Sequence, residues 1–182
     1  LSPTYDHIPS VQRLGLRELD ITEIPTFATR SDFYWPMSYD TLYTAKMRYL
    51  SQFSGFKDLS ESIGGSLTTY WNETGHSYYQ FVPHTTYYAQ HPDWFSGPDA
   101  NNSQPCFSSG LNNDGTIAEG ESFMSTLIEA VKQKILDEPM LTHIMLGQMD
   151  NDNVCRCERC TAQIEALGGQ RSAQLVLATN AV

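Results

Sequence analysis

No run of apolar residues in this chain approaches the ~20 needed to cross a bilayer, so no membrane span is expected. Basic residues are scarce: 11 Lys and Arg stand against 21 Asp and Glu, for a formal net charge of −10. Phosphate backbones attract basic patches, so this balance argues against nucleic acid as a partner. There is no Gly-x-Gly-x-x-Gly, no P-loop and no Gly-x-Ser-x-Gly elbow, which removes the usual dinucleotide, nucleotide and serine-hydrolase signatures. Internal repeats and low-complexity tracts are missing as well. No leader segment is visible. The first residue is Leu1 rather than Met, and the chain stops at Val182 in an apolar stretch that includes Leu175-Val176-Leu177-Ala178. Both ends predict an internal piece of a longer protein.

What is present is aromatic and acidic. Ten Tyr, eight Phe and three Trp accompany the negative charge. Aromatic faces stack on the apolar faces of sugar rings, so such a surface suits carbohydrate, although any one ring serves equally well in a packed core. The 182 residues suffice for one domain with a core.

Along the chain, residues 1–22 lack a clean period and read as a linker or the end of a preceding domain. Residues 23–34 fit a strand with its exit loop. Residues 40–53 read as a helix capped by Asp40. The run His76-Ser77-Tyr78-Tyr79-Gln80-Phe81-Val82 alternates like a strand that Pro83 stops. A short helix over 85–91 and a polar loop over 97–120 follow, and loops of that length are usually functional or disordered. Residues 121–136 form the clearest helix, since Phe123, Leu127, Ile128, Val131, Ile135 and Leu136 recur at helical spacing. Thr142 to Met149 suits a buried parallel strand. A helix over 158–167 closed by Gly168-Gly169 and the start of another over 170–182 complete the order. Strands alternating with helices predict an α/β fold with a parallel sheet.

Three groups of residues can carry chemistry. Asp150-Asn151-Asp152-Asn153 falls at the expected C-terminal end of the apolar strand, where parallel α/β folds place their sites. Two carboxylates interleaved with two amides can bind sugar hydroxyls, orient a reacting group or hold a hard cation. The structural alternative is an Asx-rich turn. Cys155, Cys157 and Cys160 lie within six residues, and Cys106 offers a fourth thiol. Four thiolates make a closed structural zinc site, whereas a secreted protein favours two disulfides. The tight Cys-x-Cys spacing strains a local disulfide and favours metal. Neither reading makes the cysteines catalytic; their place suggests a brace for the loop after Asn153. Third, His76, at an expected strand start, can contact a sugar hydroxyl or assist proton transfer, with a structural histidine the alternative, and Arg30, at the end of the first expected strand, can pair with a pocket carboxylate or simply sit on the surface. His91-Pro92-Asp93-Trp94-Phe95 reads as a packing corner. Asn72-Glu73-Thr74 and Asn101-Asn102-Ser103 are glycosylation sequons, relevant only in a eukaryotic secretory pathway.

These residues also resemble a known family. Gly75 through Pro83, then Tyr87 or Tyr88, then His91-Pro92-Asp93-Trp94-Phe95 follow a pattern of domain-of-unknown-function family 4838. Gln104-Pro105-Cys106 looks like that family's Gln-x-Cys segment, and Asp150-Asn151-Asp152-Asn153 with Cys155, Cys157 and Cys160 looks like its Asn-Asp-Asn and Cys-x-Cys-x-x-Cys block. The likeness runs from about Arg30 to the C-terminus. That family is similar to barrel glycoside hydrolases, and part of it is classed as glycoside hydrolase family 163, whose members are endo-β-N-acetylglucosaminidases on complex N-glycans.

The resemblance implies a (β/α)₈ barrel, of which residues 23–182 would be a part truncated at the C-terminus, since a whole barrel takes ~250 residues. It implies a secreted, periplasmic or cell-surface location, and retaining hydrolysis in which the substrate's acetamido group is the nucleophile. One carboxylic acid would protonate the leaving oxygen and another carboxylate would orient the acetamido group, the substrate-assisted exception to the two-carboxylate scheme. Asp152 matches the family's Asp, with Asn151 and Asn153 its flanking amides and Asp150 a second catalytic candidate. The general acid is left open among Glu158, Glu165 and residues beyond Val182. A non-catalytic carbohydrate-binding or support barrel, and a four-cysteine interaction module without a sugar site, are the alternatives.

Overall fold

The structure is a computed structural model. It describes residues 10–13, 15, 18–24, 26–27, 47–48, 70–71, 75–139, 141 and 143–182. The chain divides into two compact units, Leu1–Thr69 and Tyr70–Val182. In the first, the described residues carry no regular element, and Arg48 Nη1 meets Glu23 Oε2 at 2.6 Å in an exposed ion pair. The strand expected over 23–34 lies mostly outside the described residues, as do Arg30 and, but for 47–48, the helix expected over 40–53.

The second unit is built on a βαβ connection. Strand β1 (Tyr70–Trp71) pairs in parallel with β2 (His143–Ile144), in the register Tyr70 to His143 and Trp71 to Ile144. Parallel neighbours require a long crossover, and this one contains helices α1 (Tyr78–Phe81), α2 (His84–Tyr87) and α3 (Phe123–Asp137). Helices α4 (Glu158–Ala166) and α5 (Arg171–Asn180) follow β2 and pack on each other. Single-turn 3₁₀ segments at Pro92–Trp94 and Ala100–Asn102 punctuate the crossover. Among the described residues, no helix is long and apolar enough to cross a membrane.

Helix α3 follows its sequence closely. Phe123, Met124, Leu127 and Val131 form its buried stripe, and Ser122 and Ser125 cap its start reciprocally through side chain and backbone. The stripe packs into a core with Tyr78, Val82, Trp94, Phe95, Phe107, Leu111 and Ala178. Rings meet edge to face: Tyr78 and Phe107 have centroids 5.2 Å apart, and Phe107 and Phe123 6.2 Å. His91 stacks on buried Trp94 at 4.1 Å, so the His91–Phe95 stretch is indeed a packing corner. Helix α4 ends at Gly168 and Gly169, both at positive φ (92° and 78°); the Gly169 N–H returns to the Ile164 carbonyl.

Two expectations are corrected. The 76–82 run is a helical turn, not a strand. Tyr78 and Val82, one turn apart, are both fully buried, while Gln80 between them is exposed. A short aromatic run satisfies either period, and the core decided it. The 142–149 run is not buried on both faces either: His143 and Met145 are exposed, whereas Ile144 and Leu146 are half-buried.

Candidate functional site

Beyond the two short strands the same two chain segments meet again around Ser77 and Gly147. The Ser77 N–H donates to the Gly147 carbonyl at 3.0 Å, the Ser77 hydroxyl to the Met145 carbonyl at 2.6 Å, and the Gly147 N–H back to Ser77 Oγ at 2.9 Å. The approach is so close that a Cβ on Gly147 would lie 1.6 Å from the Gly75 carbonyl oxygen. Gly147 is therefore the residue that lets the two strand ends touch. His76 belongs to one of these chain segments and the 150–153 loop follows the other.

His76 is oriented by this pairing. Its Nδ1 stands 2.8 Å from the Gln148 carbonyl oxygen, a partner that only accepts, so Nδ1 carries the proton. In the neutral ring that leaves Nε2 as a lone-pair acceptor. The carboxylates of Asp150 and Asp152 are exposed and make no hydrogen bond or ion pair among the described residues. Asn153 is exposed too, and its backbone carbonyl accepts from the Ser96 hydroxyl.

Asn151 differs from its neighbours. Its Nδ2 donates to the carbonyls of Asn101 (3.1 Å) and Ser103 (3.2 Å). Its Oδ1 accepts from Gln104 Nε2 (3.1 Å) and from the Asn153 N–H (3.0 Å). All four places of the amide are filled from within the protein. Asn151 thus holds the loop, whereas Asp150, Asp152 and Asn153 are exposed.

Gln104 is the residue that sequence reasoning passed over, noted only as the first letter of a Gln-x-Cys segment. It is 3% exposed. Its Nε2 donates to the carbonyls of Met149 and Asn151, both at 2.7 Å, while its Oε1 accepts from the Met149 N–H at 3.0 Å. The long polar loop over 97–120 is thus ordered, and it supplies the clamp on the acidic loop.

Two residues beyond Gln104, Cys106 meets the other three cysteines. The Cys106 N–H bonds the Trp94 carbonyl at 2.8 Å, fixing its backbone beside the core. Cys157 is the N-cap of α4 and its sulfur accepts from the Cys160 N–H at 3.4 Å. The Cys-x-x-Cys spacing puts both sulfurs at one helix N-terminus, where the backbone N–H groups favour thiolate. Cys106 Sγ lies 3.8 Å from Cys157 Sγ and 3.6 Å from Cys160 Sγ, and all four sulfurs lie within 4.8 Å of one another. All four cysteines are free, and these separations are far from the ~2.05 Å of a disulfide.

A tetrahedral ion with metal–sulfur bonds of ~2.3 Å places its sulfurs ~3.8 Å apart, so the cluster can hold a metal ion. Ser108 Oγ lies 3.1 Å from Cys160 Sγ, and Gln174 Nε2 donates to the same sulfur at 3.5 Å, the kind of outer donor that orients metal ligands. Contacts from Cys106 and Cys155 hold the Cys160 thiol below its ordinary range, while contacts with Cys155 and Cys160, and burial, push Cys106 above its own. A divalent cation held here would favour the thiolate form of its ligands.

Of the residues expected at a site, the structure brings the four cysteines together as one group and sets His76 against Gln148, two residues before the 150–153 run. Arg30 lies outside the described residues. The model of one protein family, described as a domain of unknown function (DUF4838), matches residues 1–182. No curated protein and no solved structure matches the chain.

Proposed function

The chain belongs to domain-of-unknown-function family 4838, and from that premise we propose that it is part of a (β/α)₈-barrel glycoside hydrolase acting on β-linked N-acetylglucosamine in complex N-glycans. One observation carries the reading. His76 and the Asp150–Asn153 loop follow the C-terminal ends of two paired parallel strands, with His76 Nδ1 on the carbonyl of Gln148 just ahead of the loop, and such ends are where barrels assemble their active sites.

In this reading the substrate's acetamido oxygen attacks its own anomeric carbon as the bond to the leaving-group oxygen breaks and a carboxylic acid protonates that oxygen; water then opens the cyclic intermediate, and Asp152 orients the acetamido group and stabilises the positive charge that develops on it. Asp150 is the other carboxylate the loop offers. His76 Nε2 accepts from a sugar hydroxyl, and the Asn153 amide contacts another. A zinc ion held by Cys106, Cys155, Cys157 and Cys160 has a structural role: four thiolates leave no open position for substrate. The proposed location is secreted, periplasmic or cell-surface.

The test is incubation of the full-length parent protein with a complex biantennary N-glycoprotein and with other β-linked N-acetylhexosamine glycans, followed by mass spectrometry of released glycan. Release from the N-glycoprotein is expected. No release from any member of the set would sink the hydrolase reading. The second reading, a non-catalytic carbohydrate-binding barrel, is favoured by the exposure of both loop carboxylates, which suits hydroxyl binding without turnover. Binding of the same glycans without cleavage would select it.

A further inference from the structure

We infer that Gln104 and Asn151 are positioning residues that work as one unit, and that this unit sets where the backbone bearing Asp150 and Asp152 lies. The geometry alone supports the brace; its consequence for a glycan rests on the hydrolase reading above.

A loop that leaves a strand end carries N–H and C=O groups with no ladder partner, and those turned from water must find one. Here one buried amide serves three of them: the Gln104 side chain takes both carbonyls and an N–H across Met149–Asn151. Its Nε2 also meets Asn151 Oδ1, which in turn accepts the Asn153 N–H. The chain of contacts thus runs from Gln104 through Asn151 to Asn153, spanning Asp150 and Asp152 without touching either carboxylate.

The far ends of the unit are fixed as well. Asn151 Nδ2 ties the loop to the carbonyls of Asn101 and Ser103. The Gln104 N–H is held by Ser96 Oγ at 2.8 Å, and the same hydroxyl bonds the Asn153 carbonyl. The carboxylates remain exposed while the backbone beneath them is held from both sides. That division leaves the acidic groups available and their spacing set, which is what preorganised binding of a polyhydroxylated ligand requires.

The test is amide hydrogen exchange followed by NMR on the full chain, comparing wild type with Gln104→Met, which keeps length and shape but removes every donor and acceptor. Faster exchange at Met149 is expected simply because its acceptor is gone. The informative amide is Asn153, whose acceptor belongs to Asn151. It is expected to exchange roughly ten- to a hundredfold faster, the scale of losing one or two hydrogen bonds, while α3 amides and metal content hold.

Unchanged Asn153 protection would overturn the inference. Equal loss of protection along α3 would also overturn it, since Gln104 would then serve the fold as a whole. The reciprocal variant, Asn151→Ala at a half-exposed position, tests the link from the other side: Met149 is expected to lose protection, and unchanged protection there contradicts a shared unit. If both variants release the loop but wild type turns over no glycan, the hydrolase reading fails and the brace stands. If wild type is active, both variants are expected to lower kcat.

Discussion

Metal held by the four cysteines has a stability signature that buried thiols alone do not. Cys106 and Cys160 are fully buried, and Cys160 Sγ has Cys106, Ser108 and Gln174 around it at 3.6, 3.1 and 3.5 Å. Replacing Cys160 by Ser removes one ligand of four and shortens the reach of the side chain, so the set no longer closes around an ion. A ligand that binds the folded state alone stabilises it by ~2.7 kcal/mol at one hundred times its dissociation constant. For a chain of this size each kcal/mol moves the melting temperature by roughly 2–4 °C, so saturating zinc is worth about 5–11 °C.

The assay is thermal unfolding of wild type and Cys160→Ser, each with strong chelator and with added zinc, with metal content measured on the same samples. Wild type is expected to carry one ion per chain, to fall by about that amount on chelation and to recover with zinc. Cys160→Ser is expected to melt at one temperature under both conditions. A wild-type melting temperature indifferent to chelator and zinc, with no bound metal, would refute the reasoning.

Other expectations concern the frame of the site. Leu127→Ala, at a fully buried position of α3, is expected to cost about 2–5 kcal/mol by urea unfolding. Leu136→Ala, 73% exposed on the same helix, is expected to stay within about 0.5 kcal/mol; equal costs would contradict the described packing. Gly147→Ala places a methyl where the Gly75 carbonyl now stands, so the two strand ends must part. Its expected mark in NMR is a shifted His76 ring signal with the α3 amides unmoved, and an unchanged His76 signal would speak against the close approach.

How much of this was legible in the sequence follows from which forces are local. Helix α3 could be read because its apolar residues recur at helical spacing and Pro139 stops it. The thiol cluster could be read because Cys157 and Cys160 share one helical turn and few local structures need three cysteines in six residues. Only the partner, Cys106, depended on the fold, which brings the 95–106 segment back against α4. The 76–82 run was misread because aromatic residues in a row carry both periods, and burial of Tyr78 with Val82 is a tertiary fact. The roles within Asp150–Asn153 were equally hidden. Letters make Asn151 and Asn153 alike, yet long-range partners from Asn101, Ser103 and Gln104 turn Asn151 inward. Gln104 carried no local signal beyond its place two residues before a cysteine.

The hydrolase account rests most directly on Asp152. The deciding measurement sets wild type and Asp152→Ala side by side on the same complex N-glycoprotein, with released glycan quantified and the α3 amide spectrum recorded to show that the variant is folded. If Asp152 orients the reacting acetamido group as proposed, its loss is expected to reduce release by about a hundredfold or more, on the scale of removing one preorganised electrostatic partner. Release by a folded Asp152→Ala at the wild-type rate would contradict the account and take the Asp150–Asn153 loop out of the reaction.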